Sequence, residues 1–379
     1  MAVSRSMDVD VLILGGGPAG ASSARMLAAA GAVVAVAERS DYDRFRVGET
    51  LPPAANVLFA KLGLTRSLID DGHLPSPGIV AAWGSAEPHE NDFIFSPYGQ
   101  GWHLDRRRFD RSLARSAADA GAELIPQARA VSCERDNSGG WSVALATPDR
   151  TITATSRWVI DATGRSSWFT HSQGIARRAH DRLIALLAVL DDPERSDPRT
   201  FIEAMPDGWW YVAAMPAARA IAAYFTDSDL HDLHPSAAES LWNNRLGASR
   251  LARERLLGTR QINGLRIVSC ATMKAARAAG EGWLAVGDAA RSIDPLSSQG
   301  ISWAIAAGLD AASVVLHADP RSDSARYEAE WDDRFHDYLV TRRSYYAAER
   351  RWPASPFWER RSSEPLPLRR SVAHNSAST

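Results

Sequence analysis

Residues 9–38 read VDVLILGGGPAGASSARMLAAAGAVVAVAE, and the order of parts in this stretch decides the fold. Val11 to Leu14 is a short apolar strand, Ala21 to Ala30 favours helix, and Ala32 to Ala37 is a second buried strand. Between the first strand and the helix, Gly15, Gly17 and Gly20 spell G-x-G-x-x-G with Pro18 and Ala19 inside it. Gly15 permits the tight turn, Gly17 lets backbone approach a pyrophosphate, and Gly20 allows close helix–strand packing. The helix N-terminus offers free N–H groups and partial positive charge to an anion. Glu38 closes the unit roughly 20 residues on, where a carboxylate accepts ribose hydroxyls and disfavours a 2′-phosphate. The expectation is a Rossmann-like βαβ unit that binds NAD or FAD.

The chain has 379 residues, enough for two or three domains, and its formal net charge of -2 gives no electrostatic case for nucleic acid. No apolar run reads as the roughly 20 residues needed to span a bilayer, and the N-terminus runs straight into the first strand, so a cytoplasmic location without a membrane partner is expected. Cys133 and Cys270 are the only cysteines and read as buried thiols; nothing has metal-ligand spacing. Lys61 and Lys274 are the only lysines.

Further along, Arg39 and the Arg46-bearing loop before VGETLPP (47–53) face the ligand by position. Residues 54–70 read as one helix with Val57, Leu58, Leu62 and Leu68 inward. Leu104 to Ala120 reads as a helix capped by Asp105, with Arg106, Arg107 and Arg108 in its first turn. Arginines there oppose the helix dipole, which points to an anionic partner for one of them, Arg106 being the candidate. Residues 128–155 read as a three-stranded meander with turns at Asn137–Gly140 and Pro148–Asp149, and Trp158 to Ile160 as a separate buried strand delivering Asp161 and Gly164 in DATGRS (161–166). Strands are expected near 182–190, 200–204, 209–215 and 219–226, then a helical stretch over 235–257. Finally, Trp283 to Val286 is a strand running into GDAARSIDPLSSQG (287–300), with Gly287 and Asp288 at its end, a loop at Pro295, and a helix from Gly300 and Ile301 to Leu316. Two helix N-termini and two Asp-bearing strand ends converge on one edge, which suits a ligand as long as FAD. A second G-x-G-x-x-G is absent, so no separate NAD(P)H domain is expected.

GGGPAG with Glu38, DATGRS and GDAARSIDPLSSQG, in this order, resemble the FAD domain of flavoprotein monooxygenases of the para-hydroxybenzoate hydroxylase fold. The resemblance covers about residues 8–350. It implies an α/β fold with a discontinuous FAD-binding domain (1–71, 102–178 and 271–320) and a second, sheet-containing substrate domain (72–101 and 179–270). C-terminal helices (321–360) and a flexible tail (361–379) would follow. VGETLPP and DPLSSQG further resemble the tryptophan-halogenase-like branch. Halogenases of that branch carry an essential lysine about 25 residues after the GET-type loop, where this chain reads HLPSPGIVAAW (73–83) without one. Arginine, always protonated, does not replace a lysine that hands on hypohalous acid. The W-x-W-x-I-P box is also absent; GWWYVAAMP (208–216) stands in its place. That segment, FTDSDL (225–230) and the late YYAAERRW (345–352) look more like monooxygenases that oxidise a peptide tryptophan during tryptophylquinone cofactor formation.

The resemblance implies FAD, with O₂ as co-substrate and NAD(P)H or a partner flavin reductase as electron source. A C4a-hydroperoxide of the flavin would hydroxylate an electron-rich ring, either a free aromatic metabolite or a tryptophan in a peptide or protein. Glu49, Thr50, Pro295, Ser297, Ser298 and Trp210 are the candidates for lining the flavin, and the Gly300–Ile301 helix N-terminus for stabilising negative charge on it. No general base can be assigned. Halogenation, a flavin-linked prenyl reduction and a non-catalytic FAD-bound maturation partner remain the alternatives.

Overall fold

The computed structural model describes residues 5–137, 139–194, 197–317 and 322–363; Ser138 in the expected meander turn and residues 364–379 of the expected tail lie outside them. Arg5–Leu14, Pro18–Ala29 and Val34–Glu38 form the expected βαβ unit. The strands lie in a sheet whose parallel core runs Trp283–Ala285, Thr151–Asp161, Arg5–Leu14, Val34–Glu38, Glu123–Pro126. Val11 to Leu14 is apolar throughout because both faces are covered: Leu12 and Leu14 pack into one core layer, Val11 and Ile13 into the other. Thr151–Asp161 is one continuous strand, so the third meander strand and the strand expected separately at 158–160 are the same element. It pairs with Arg5–Leu14 on one side and Trp141–Ala146 on the other, which leaves no reason for a break.

On the other face of this sheet's first helix lies the helix Gly300–His317. Gly308 makes the approach possible, since a Cβ there would sit 2.2 Å from the Ala19 carbonyl oxygen. Ser23 donates to the Gly308 carbonyl oxygen at 2.8 Å. This 18-residue helix is long and apolar enough to cross a membrane by length and composition, contrary to the expectation that no such run exists; here it packs as a core helix.

The second large sheet runs Arg260–Gln261, Leu183–Asp191, Arg219–Asp227, Gly208–Met215, Thr200–Met205, Gly78–Ala82, His89–Asp92. Its pairs are antiparallel except the parallel one between Thr200–Met205 and Gly78–Ala82. Between the large sheets a three-stranded one joins Thr50–Leu51, Gly101–His103 and Leu74–Ser76.

Two expected helices are broken. Residues 54–70 form Asn56–Lys61 and Ser67–Asp70, because Gly63 at φ +67° turns the chain and Leu64 N–H caps the Phe59 carbonyl. Val57 is consequently 42% exposed, not inward. Residues 235–257 split into Pro235–Ala248 and Leu251–Arg255, where buried Glu203 accepts from the Arg250 and Ala252 N–H groups at 2.8 and 3.1 Å and so caps the second piece. Cys133 and Cys270 are half-buried, not fully buried.

The C-terminal residues form one long helix, Ser322–Ala348, and a short one, Pro356–Ser363. Tyr327 and Trp331 pack into the layer under the parallel sheet, while Tyr346, Phe357 and Trp358 pack on the antiparallel sheet. Arg361, expected in a flexible tail, is 3% exposed and pairs with Asp227 at 2.6 Å. The carboxylate of Asp227, buried at a strand end, meets both Arg361 and Arg360.

Candidate active site

The glycines of the first turn divide by what surrounds them. A Cβ on Gly15 or Gly20 would meet backbone oxygen at 2.2 or 1.9 Å, so these two are required by packing. Gly17, with φ -74° and ψ -172°, has extended backbone open to any residue, and its Cβ would meet only Arg46 Nη1 at 3.8 Å. Gly164 and Gly300 likewise face open space. All three lie at the carboxyl edge of the parallel sheet, at the start of the first helix, in the turn after Asp161 and at the start of Gly300–His317. The open edge with two helix N-termini fits a long anionic dinucleotide.

Glu38 is 5% exposed and held by four donors. Its Oε2 accepts from Gly16 N–H at 2.8 Å; its Oε1 accepts from the Ser40 N–H and hydroxyl and from Arg46 at 2.9 Å. Oε2 keeps a lone pair for a ribose hydroxyl. Arg46 bridges Glu38 and buried Asp110, and Arg106 meets the same Asp110 at 3.0 Å. Asp110, which the sequence analysis did not single out, is thus the anionic partner that the first-turn arginines called for. Asp105 caps the helix Arg106–Asp119 as expected, accepting from Arg107 N–H at 3.0 Å. Arg39 is exposed, with no hydrogen-bond partner among the described residues.

Asp161 was a ligand candidate, but its Oδ1 accepts from the N–H and hydroxyl of Thr163 and its Oδ2 from those of Thr170. With all its lone pairs used internally, it holds the Gly164 turn and offers nothing outward. Asp288 is the reverse. Its carboxyl accepts no hydrogen bond from any described residue, although burial pushes its pKa up against the pull of Arg165, Arg177 and Arg106. Arg177 spans the region, donating to the carbonyls of Arg165 and Asp288, and its Nε is buried without a partner. A half-buried carboxyl with nothing to bind, next to an orphaned guanidinium N–H, fits a polar ligand chain passing at this point. Asp288→Ala is expected to weaken FAD retention by about 1–3 kcal/mol, read as flavin dissociation on dilution. Unchanged affinity would leave Asp288 with no ligand role.

At the loop Pro295–Ser297, Asp294 caps its own turn by accepting from Leu296 N–H at 2.9 Å, and Ser298 adopts φ +52°. The Ser297 hydroxyl is buried without a partner. Next to this loop opens a cavity of about 290 Å³, walled by Leu296, Ser297, Gln299 and Trp303 on one side and by Arg334, Asp337, Tyr338, Thr341 and Tyr345 of the long helix on the other.

Trp210 does not line this region. On Gly208–Met215 side chains alternate, and Trp210 points away from the loops, its ring 4.6 Å from that of Trp242. Tyr211 faces the site instead: it shares a layer with Phe45 and Leu296, and its hydroxyl lies 2.5 Å from Thr50 Oγ1. Beside it, burial pushes the Glu49 carboxyl up, only partly offset by Tyr211, the Gly48 N–H and Arg106. Tyr211 and His103, which the sequence offers chiefly as packing residues, are both tied to Thr50 here.

Fold and cleft together define an FAD-dependent oxidoreductase. The chain belongs to the FAD binding domain family, whose model matches residues 8–317. LodB of Marinomonas mediterranea, which carries the name putative FAD-dependent oxidoreductase, is 28% identical over 357 residues, covering 93% of this chain and 96% of LodB. Among solved structures, the flavin-dependent halogenase CmlS superposes with a TM-score of 0.84 at 24% identity, over 94% of this chain and 68% of its own. The peptidyl tryptophan dihydroxylase QhpG, described as essential for tryptophylquinone cofactor biogenesis, superposes with a TM-score of 0.76 at 23% identity, over 96% and 81%. These two likenesses concern the fold, and they agree with the fold that the three motifs imply.

Proposed function

We propose that this flavoprotein is a monooxygenase that inserts oxygen into an electron-rich aromatic ring, with a tryptophan of a peptide or protein as substrate. The observation that carries the reading against halogenation is where its lysines stand. Lys274 is paired with Asp332 at 2.8 Å on the strand Met273–Ala275, and Lys61 is exposed on the short helix Asn56–Lys61. Neither lines the cavity beside the Pro295–Ser297 loop. That cavity supports the substrate class, since Trp303, Tyr338 and Tyr345 put aromatic side chains on its wall for an indole.

The backbone of Gly15 to Gly20 and the cations Arg46 and Arg106 would hold the FAD pyrophosphate, Glu38 the ribose, and Gly164, Gly287 and Asp288 the ribityl region. Pro295 and the N-terminus at Gly300 and Ile301 would border the ring. Reduced FAD, when bound, supplies oxygen activated from O₂ for transfer to the ring. The protein's share is to orient the substrate against the loop, keep water out, and favour negative charge at the helix N-terminus. Electrons would come from NAD(P)H or a flavin reductase. Incubation with a tryptophan-containing peptide, reduced flavin, O₂ and saturating bromide tests the assignment by mass spectrometry. A gain of oxygen is expected; a bromine isotope pattern would replace oxygenation by halogenation.

A further inference from the structure

A chain of four side chains runs inward from the VGETLPP loop and is tied to it by strand pairing, since Thr50 opposes His103 in the small sheet. His103 is fully buried; its Nε2 lies 2.7 Å from the Pro198 carbonyl oxygen and its Nδ1 3.2 Å from Thr50 Oγ1. Thr50 Oγ1 is 2.5 Å from the Tyr211 hydroxyl, and the Tyr211 hydroxyl neighbours the Glu49 carboxyl. Arg106 stands beside Glu49, and Arg255, itself paired with Asp192 at 2.6 Å, faces His103.

The direction of every proton in this chain follows from its inner end. A carbonyl only accepts, so Nε2 must carry a hydrogen. In a neutral imidazole Nδ1 is then bare and must accept from the single Thr50 hydroxyl proton. Thr50 oxygen therefore accepts from Tyr211, and Tyr211 has only a lone pair to offer Glu49. A carboxylate there would face a lone pair, whereas a carboxylic acid completes the chain. If His103 is instead an imidazolium, every hydrogen bond from Nδ1 outward reverses and the Glu49 oxygen that faces Tyr211 must be bare. Burial, which pushes His103 down to about 4 and Glu49 up, selects the first arrangement.

We propose that Glu49, Tyr211, Thr50 and His103 form a buried proton wire whose mouth is Glu49 at the flavin cleft, resting as a carboxylic acid at one end and a neutral imidazole at the other. When the Glu49 carbonyl oxygen takes a proton, the hydroxyl proton of Glu49 passes to Tyr211, that of Tyr211 to Thr50 and that of Thr50 to His103 Nδ1. Only O–H and N–H bonds exchange, and the charge appears on the imidazole. Resting on the oxygenation reading, the proton taken up is the one an attacked aromatic ring must lose to become aromatic again. Thus the wire supplies the base that no single residue provides.

Nitrogen NMR of the flavin-loaded protein at neutral pH should show His103 neutral with its hydrogen on Nε2. Infrared spectra should contain a protonated-carboxyl band that Glu49→Gln removes and Tyr211→Phe shifts. Thr50→Val, which keeps shape and cuts the wire, should slow product formation on the order of 10²-fold with flavin content unchanged, and Thr50→Ser should restore most of it. An ionised Glu49, or a His103 that is charged or carries its hydrogen on Nδ1, would overturn the wire even if the product is oxygenated. The expected signals accompanied by a halogenated product would uphold the wire and remove the oxygenation reading alone.

Discussion

Gly17→Val should purify as a folded, colourless protein. The backbone at Gly17 is already extended and its Cβ direction is open to the Arg46 guanidinium at 3.8 Å, so the substitution costs the apoprotein little. The methyls would fill the space through which the turn approaches a pyrophosphate, and steric exclusion there removes binding outright. Gly20→Val provides the contrast: its Cβ would lie 1.9 Å from the Gly15 carbonyl oxygen, so the first helix must move and the fold itself suffers. Flavin absorbance per mole and the denaturation midpoint of each variant separate the cases. Stoichiometric flavin in folded Gly17→Val would show that the turn is not the pyrophosphate site.

The second large effect is expected at Asp294, the residue before Pro295. Its Oδ2 accepts from Arg342 at 3.2 Å and from the Tyr346 hydroxyl at 2.9 Å, and its own N–H donates to the Tyr338 hydroxyl at 2.6 Å. Tyr338, Arg342 and Tyr346 stand four residues apart on one face of Ser322–Ala348, so the long helix grips the loop along two turns. Asp294 and Arg342 are 1% and 6% exposed, and Arg342 also binds Asp181 at 2.8 Å. Asp294→Ala takes one carboxylate partner from a buried guanidinium and leaves the Tyr346 hydroxyl without its acceptor, while the Tyr338 hydroxyl keeps the backbone N–H of residue 294. A loss of about 3–5 kcal/mol is expected, because breaking a buried pair strands the remaining charge. Denaturant unfolding measures it. Weaker flavin retention should accompany it, since the loop loses its only carboxylate cap; a loss below about 1 kcal/mol would mean that the grip is not mechanical.

The two variants differ in how visible they are beforehand. Gly17 belongs to a local pattern, strand, glycines, helix, strand and acid, that needs no partner from elsewhere in the chain. Asp294 draws its importance from residues 44, 48 and 52 positions later, and no periodicity links an Asp-Pro turn to one face of a distant helix.

The sequence by itself determined the βαβ unit, the Asp105 cap, the edge where the glycine turns gather and four strands of the second sheet, those within 183–227, because each is written in neighbouring residues through sterics, hydrogen-bond capping or apolar runs. It also determined that Trp210 and Tyr211 point to opposite faces. Which face meets the cleft was decided by the tertiary structure alone: all eight residues of Gly208–Met215 are buried, so no polar side marks the outside. The same holds for the charges. Asp161 ends one parallel strand and Asp288 stands in the turn just past the end of its neighbour, yet the first is saturated by Thr163 and Thr170 and the second is not. The polarity of the Glu49 to His103 chain likewise depends on Pro198, a carbonyl 95 residues from the imidazole it orients, and only the folded packing brings an obligate acceptor to that nitrogen.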